Sequence, residues 1–145
     1  MKTSKKENRC LHCKKSNSQC KKKRAVLNQL LNKGYNASLL RKTREVPNSY
    51  GLYLIRANED DEVLYIGFSN TSVRKRLMAH TTGYDRQKIG KFLNGKDLKD
   101  YSISWVIERR AECLEEKFID FVTTEQGFRP IFNLKRGRSC GSKEE

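Results

Sequence analysis

The sequence predicts a compact α/β domain: a small, mainly antiparallel three-stranded sheet flanked by helices, preceded by a basic N-terminal extension. Three observations lead there. Two strand-like runs, GLYLIRA at 51–57 and EVLYIG at 62–67, enclose the polar turn NEDD, which is hairpin grammar. The segments after them switch from strand-like runs to apolar residues spaced three and four apart, the period of helices packed on a core. Charge is also partitioned, with 13 basic and 13 acidic residues between 51 and 134 but 14 basic against 2 acidic residues in the first 50.

Length and composition fit that reading. A chain of 145 residues with 36% apolar content is long enough to bury one core and too short for two large ones. The expected organisation is a basic extension over 1–49, one domain over 50–134 and a basic tail over 135–145. Net charge is +14 and belongs to the flanks, where it attracts a polyanion; nucleic acid is the commonest one inside cells. No apolar run approaches membrane-spanning length, and the lysine-rich start is not a secretory signal, so a soluble cytoplasmic protein is expected, associated with the nucleoid when bound to DNA.

Each element follows from its residues. Residues 1–24 are basic and aperiodic, hence tail-like unless a metal organises Cys10 to Cys20. Val26, Leu27, Leu30 and Leu31 have helical spacing that breaks near Gly34, and Leu39 and Leu40 start a short turn before Pro47. The apolar residues of the hairpin fall on both faces, so the sheet should be covered on each side. Thr71 or Ser72 can cap a helix over 72–80, with Val73 and Leu77 facing inward. Arg76 and His80 stack as an i, i+4 pair on a neighbouring face. Ile89, Phe92 and Leu93 mark a helix over 85–94, and YSISWVIE at 101–108 is a strand by its Ile, Trp, Val and Tyr content. A helix over 111–123 buries Leu114, Phe118, Phe121 and Val122, with Glu115 at the edge of the stripe, and Gly127 and Pro130 end it.

Hydrolysis of a phosphodiester needs an activated water, positive charge around the non-bridging oxygens and stabilisation of the departing oxygen. Tyr53, Tyr65, Arg76, His80 and Glu115 all sit on or beside predicted elements and could supply these functions. Taken singly, each has a plainer reading as a strand aromatic, a solvated charge or a helix-surface group.

In order along the chain stand Gly51-Leu52-Tyr53 and Tyr65-Ile66-Gly67, with eleven residues between the two tyrosines. Arg76 and His80 follow in RKRLMAH, then Leu114, Glu115 and Ile119 as LE-x-x-x-I, then Pro130 and Asn133 as P-x-x-N. In these residues the chain resembles the GIY-YIG nuclease family over roughly 50–134. Leu52 replaces the usual central isoleucine. The segment from Gly67 to Arg76 is one residue longer than the family pattern, which makes Lys75 a rival to Arg76, and that from Glu115 to Asn133 is several residues longer.

The resemblance implies a mechanism. Glu115 would hold one Mg2+ or Mn2+ as the only protein carboxylate on the metal. Tyr53, helped by His80, would take the proton of the attacking water, provided a nearby cation favours phenolate. Tyr65 would hydrogen-bond the scissile phosphate or a metal-bound water, and Arg76 would clamp that phosphate. Asn133 would orient Glu115 or the backbone near it, and Gly67 would permit close backbone approach. The products would be a 3′-hydroxyl and a 5′-phosphate. Among relatives that act in repair, homing and restriction, a compact chain looks most like a stand-alone restriction endonuclease on double-stranded DNA. One site cuts one strand, so a double-strand break implies a homodimer or sequential nicking.

Alternative functions are a structure-selective repair or mobile-element nuclease, a non-catalytic nucleic-acid-binding module, and an RNA-binding basic protein. Phosphate contacts are expected from Lys21, Lys22, Lys23 and Arg24, from Arg41, Lys42 and Arg44, and from Lys75 if it is not the clamp. Cys10, Cys13 and Cys20 form C-x2-C-x6-C, which leaves two readings open. One is a structural Zn2+ site completed by Cys140 or His12; the other is reduced thiols in a basic arm. Five cysteines, an odd number, argue against a disulfide framework.

Overall fold

The computed structural model describes residues 17–32, 34–82 and 87–133, with side chains from residue 24 onward. Helix α1 (Asn17–Asn32) starts earlier than the predicted 25, so part of the segment read as tail-like is helical. Its C-terminal carbonyls, which a helix leaves without partners of its own, are taken by the sheet. Ser104 Oγ donates to the Leu30 carbonyl at 2.5 Å, and Arg56 Nη1 to that of Leu31 at 2.9 Å.

Strands β2 (Gly51–Ala57), β3 (Val63–Ser69) and β4 (Tyr101–Ile107) follow the predicted runs closely. A two-residue strand, β1 (Tyr35–Asn36), makes the sheet four-stranded, in the order β1-β4-β2-β3 and antiparallel throughout. Two residues are too few to carry an alternating pattern, so only the pairing of Tyr35 with Ile103 and Asn36 with Ser102 reveals the fourth strand. Helices α2 (Val73–Thr82), α3 (Lys88–Leu93) and α4 (Ala111–Gln126) complete the fold.

Both faces of the sheet are covered, because a strand points successive side chains to opposite sides. Leu52, Leu54 and Ile66 face Leu27 and Leu30 of α1 and Phe118, Ile119, Phe121 and Val122 of α4. Tyr53, Ile55 and Ile103 face Val73 and Leu77 of α2, Ile89 and Leu93 of α3, and Leu40 and Val46 of the preceding loop. Each such aliphatic or aromatic side chain contributes roughly 1.5–3 kcal/mol when removed from water.

Local chemistry starts and stops α2 and α4. Ser72 is the cap: its Oγ accepts from Lys75 N at 3.1 Å and donates to Asn48 Oδ1 at 2.7 Å. The Val73 and Arg74 amides donate to the carbonyls of Ser49 and Pro47. Gly127, at φ 91°, closes α4 in the left-handed conformation that glycine adopts without a Cβ clash.

The outer edge of β3 is covered by the last residue of α4 and the chain that follows it. Gln126 exchanges hydrogen bonds with both backbone groups of Val63, and Phe132 N donates to the Leu64 carbonyl. An edge strand paired this way offers less template for another chain. Cys113 of α4 is disulfide-bonded, although the odd number of cysteines argued against a disulfide framework. Among the described residues no helix is long and apolar enough to cross a membrane.

Candidate active site

The strand register gives the site its centre. Tyr53 on β2 lies opposite Gly67 on β3 and Trp105 on β4, so its ring crosses the space above Gly67. A Cβ at position 67 would stand 2.4 Å from the Tyr53 hydroxyl oxygen and 2.5 Å from Cζ, inside any real contact distance. Glycine is therefore required for this ring position.

His80 reaches the same ring from α2. With the helix started by Ser72, residues 73, 76, 77 and 80 share its inward side: Val73 and Leu77 are fully buried, Arg76 is half-buried and His80 is fully buried. His80 Nε2 and the Tyr53 hydroxyl are 2.8 Å apart. The Tyr65 ring meets His80 edge-on at 5.4 Å between centroids and lies 6.2 Å from that of Tyr53. The three rings thus form one cluster beneath α2.

Burial pushes the Tyr53 phenol well above the usual tyrosine range, and the Tyr65 and Glu115 charges push the same way. Arg76 opposes them through its positive charge and a hydrogen bond to the hydroxyl, but burial prevails. Burial thus works against the phenolate that the Arg76 cation favours, and the Tyr53 hydroxyl shares a hydrogen bond with His80 Nε2 whose donor is set by the imidazole tautomer.

Arg76 is the arginine joined to Tyr53, whereas Lys75 is exposed, one position around the helix. Glu115, 8% exposed on α4, is close enough for its charge to be felt at Tyr53. Asn133 accepts from Ile66 N at 2.9 Å and donates to Ile66 O at 2.9 Å. Both amide atoms therefore serve β3 between Tyr65 and Gly67, and Asn133 acts on the strand backbone rather than on Glu115.

One polar neighbour was not foreseen: Tyr65 Oη donates to Gln87 Oε1 at 3.1 Å. The two residues are 22 positions apart and Gln87 belongs to no sequence motif, so nothing in one dimension points to it.

The site has the donor for a hard cation. A single buried carboxylate suits Mg2+ or Mn2+, which retain several waters and share phosphate oxygens. Among the described residues no group of three or more His, Cys, Asp or Glu is placed to hold a metal. Cys10, Cys13 and Cys140, His12, and the side chains of Cys20 and Lys21 to Lys23 lie outside the description. Of the remaining cations, Arg24 lies over the Phe121 ring at 5.9 Å. Arg41, Lys42 and Arg44 are exposed on a loop that Arg74 ties to α2, with Nη1 donating to the Thr43 carbonyl at 2.8 Å.

The family model for the GIY-YIG catalytic domain matches residues 49–126, more than half of the chain. Pro130 and Asn133 lie beyond the matched span. No curated protein and no solved structure matches the chain.

Proposed function

The chain belongs to the GIY-YIG family, a nuclease family that acts on DNA, and on that premise we propose a divalent-metal-dependent restriction-type endonuclease that hydrolyses phosphodiesters of duplex DNA. The observation that carries this reading is the convergence of Tyr53, Tyr65 and His80 beneath α2, with the charges of Arg76 and Glu115 acting on the same phenol.

In this reading the attacking water gives its proton to the Tyr53 oxygen while Tyr53 passes its own to His80 Nε2. One O–H bond breaks and forms at each step of the relay, and the phenol need never become a free phenolate. The resulting hydroxide attacks phosphorus, the bond from phosphorus to the 3′ oxygen breaks, and that oxygen takes a proton from solvent, leaving a 3′-hydroxyl and a 5′-phosphate. Arg76 would hold two non-bridging oxygens in its planar fork. Glu115 would hold Mg2+ or Mn2+, which when bound stabilises charge on the phosphate and the departing oxygen. Asn133 fixes the stretch of β3 that carries Tyr65 and Gly67. Arg41, Lys42 and Arg44 offer phosphate contacts beside the helix that carries Arg76, and two copies would be needed for a concerted double-strand break.

The test is to sequence the ends produced when the protein meets mixed plasmid and genomic DNA with Mg2+, beside Glu115→Gln. Discrete ends sharing a short sequence from the wild type, and none from the variant, are expected. Breaks scattered by DNA structure would replace the restriction role with repair or mobility. Binding without cutting by either protein would make the fold a scaffold.

A further inference from the structure

Tyr65 has two roles open to it at such a site: donor to a phosphate oxygen or acceptor from water. A phenol has one proton to give and lone pairs to receive with, so the partner that takes the proton decides between them. In this structure the proton goes to Gln87 Oε1 at 3.1 Å, and the ring is held in place by the edge-on contact with His80.

Resting on the nuclease reading above, we infer that Gln87 is a positioning residue: by accepting the Tyr65 O–H it turns the phenol oxygen's lone pairs toward the attacking water.

A second observation separates Gln87 from the helix it precedes. It occupies the position before α3, with φ −71° and ψ 162°, where Ser, Thr, Asp or Asn would cap the first turn through a short side chain. The Gln87 side chain makes no capping hydrogen bond; it reaches away from α3 to a tyrosine 22 positions earlier. Capping of α3 does not call for glutamine here, whereas the direction of the Tyr65 hydroxyl does.

The pairing also repeats a pattern within the site. The Tyr53 hydroxyl shares a hydrogen bond with His80 Nε2, and Tyr65 donates one to Gln87 Oε1. With His80 in the tautomer that leaves Nε2 without a proton, two phenol oxygens from neighbouring strands act as acceptors, which suits holding a water by its two hydrogens. The two partners differ in chemistry. An imidazole can keep a proton it receives, so Tyr53 passes protons on, while a neutral amide cannot, so Tyr65 only orients.

The experiment is a double-mutant cycle on single-turnover cleavage at saturating protein, using Gln87→Met, Tyr65→Phe and the double variant. Methionine keeps the length of the side chain and removes the hydrogen bond. Gln87→Met is expected to slow the cleavage step about tenfold with DNA affinity unchanged. In the Tyr65→Phe background the same change should cost less than about twofold, because the hydroxyl it acts on is gone. Gln87→Glu keeps an acceptor and should recover most of the rate at saturation. Additive losses would overturn the inference, as would a Gln87→Met effect confined to DNA affinity. A wild-type protein that does not cut would remove the nuclease reading and this role with it, whereas a cutting wild type with an additive cycle removes this role alone.

Discussion

On one face of the sheet, Leu52, Leu54 and Ile66 pack against α1 and α4 by apolar contact. On the other, Tyr53, Tyr65 and His80 are held by a 2.8 Å hydrogen bond and by ring contacts, within reach of the charges of Arg76 and Glu115. The same strands build both faces, since Tyr53 stands between Leu52 and Leu54 and Gly67 follows Ile66. The difference teaches how a domain this small carries a buried polar site. Apolar packing on one face fixes the strand backbones, and the fixed backbones place on the other face a phenol and an imidazole whose burial is itself unfavourable.

If the faces divide their work this way, changes on the apolar face should cost stability and spare chemistry, while changes on the other should do the reverse. The largest effect is expected from Leu30→Ala, which empties a fully buried position of α1 outside the family-matched span. It should destabilise the fold by about 2–5 kcal/mol in urea titration yet leave the cleavage rate of the folded fraction near wild type. A specific loss of cleavage would break the division.

Next comes Arg76→Ala, expected to slow cleavage on the order of 100-fold with little change in melting temperature. Exposed Lys75→Ala should cost no more than about twofold. The reverse order in a cleavage assay would move the phosphate clamp to Lys75.

Gly67→Ala tests where the faces meet. The added Cβ collides with a Tyr53 ring that is 1% exposed and bound to His80, so the ring has to move. A stability loss of about 1–3 kcal/mol is expected, together with a cleavage loss that persists at temperatures where circular dichroism shows the protein folded. Full activity in the folded variant would mean that the position of Tyr53 is not critical.

The smallest effect is one of pH. Burial raises the folded-state pKa of Tyr53 above the unfolded value near 10, so the native state holds a proton that the unfolded chain gives up first. Stability from this group is complete below about pH 10 and is lost as pH rises above it. Tyr53→Phe should flatten the fall of the urea midpoint between about pH 10 and 11. Equal slopes for variant and wild type would show that Tyr53 does not supply that term.

Much of this was legible because it is local. The hairpin runs, the Ser72 cap, the inward spacing of Val73 and Leu77 and the Gly127 stop are short-range patterns, and the structure bears them out. The ordered landmarks from Gly51 to Glu115 sufficed for the family. What escaped has little local pattern. Strand β1 is two residues long, and the β3 edge is closed by Gln126 and Asn133 from 63 and 67 residues away. The four-residue step to His80 favours Arg76 over Lys75, and the structure joins Arg76 to Tyr53, whereas Gln87 needed a contact spanning 22 residues.

By itself, then, the sequence determined the three long strands, the helices and the motif residues brought to the site, because side-chain periodicity and capping act over a few residues. The tertiary structure alone decided which groups share each hydrogen bond at the site. Whether Tyr53 stays protonated depends on its depth beneath α2, and whether Tyr65 gives or receives depends on where the chain returns with Gln87. Desolvation and hydrogen-bond direction belong to surroundings assembled from distant segments, and no window of sequence contains them.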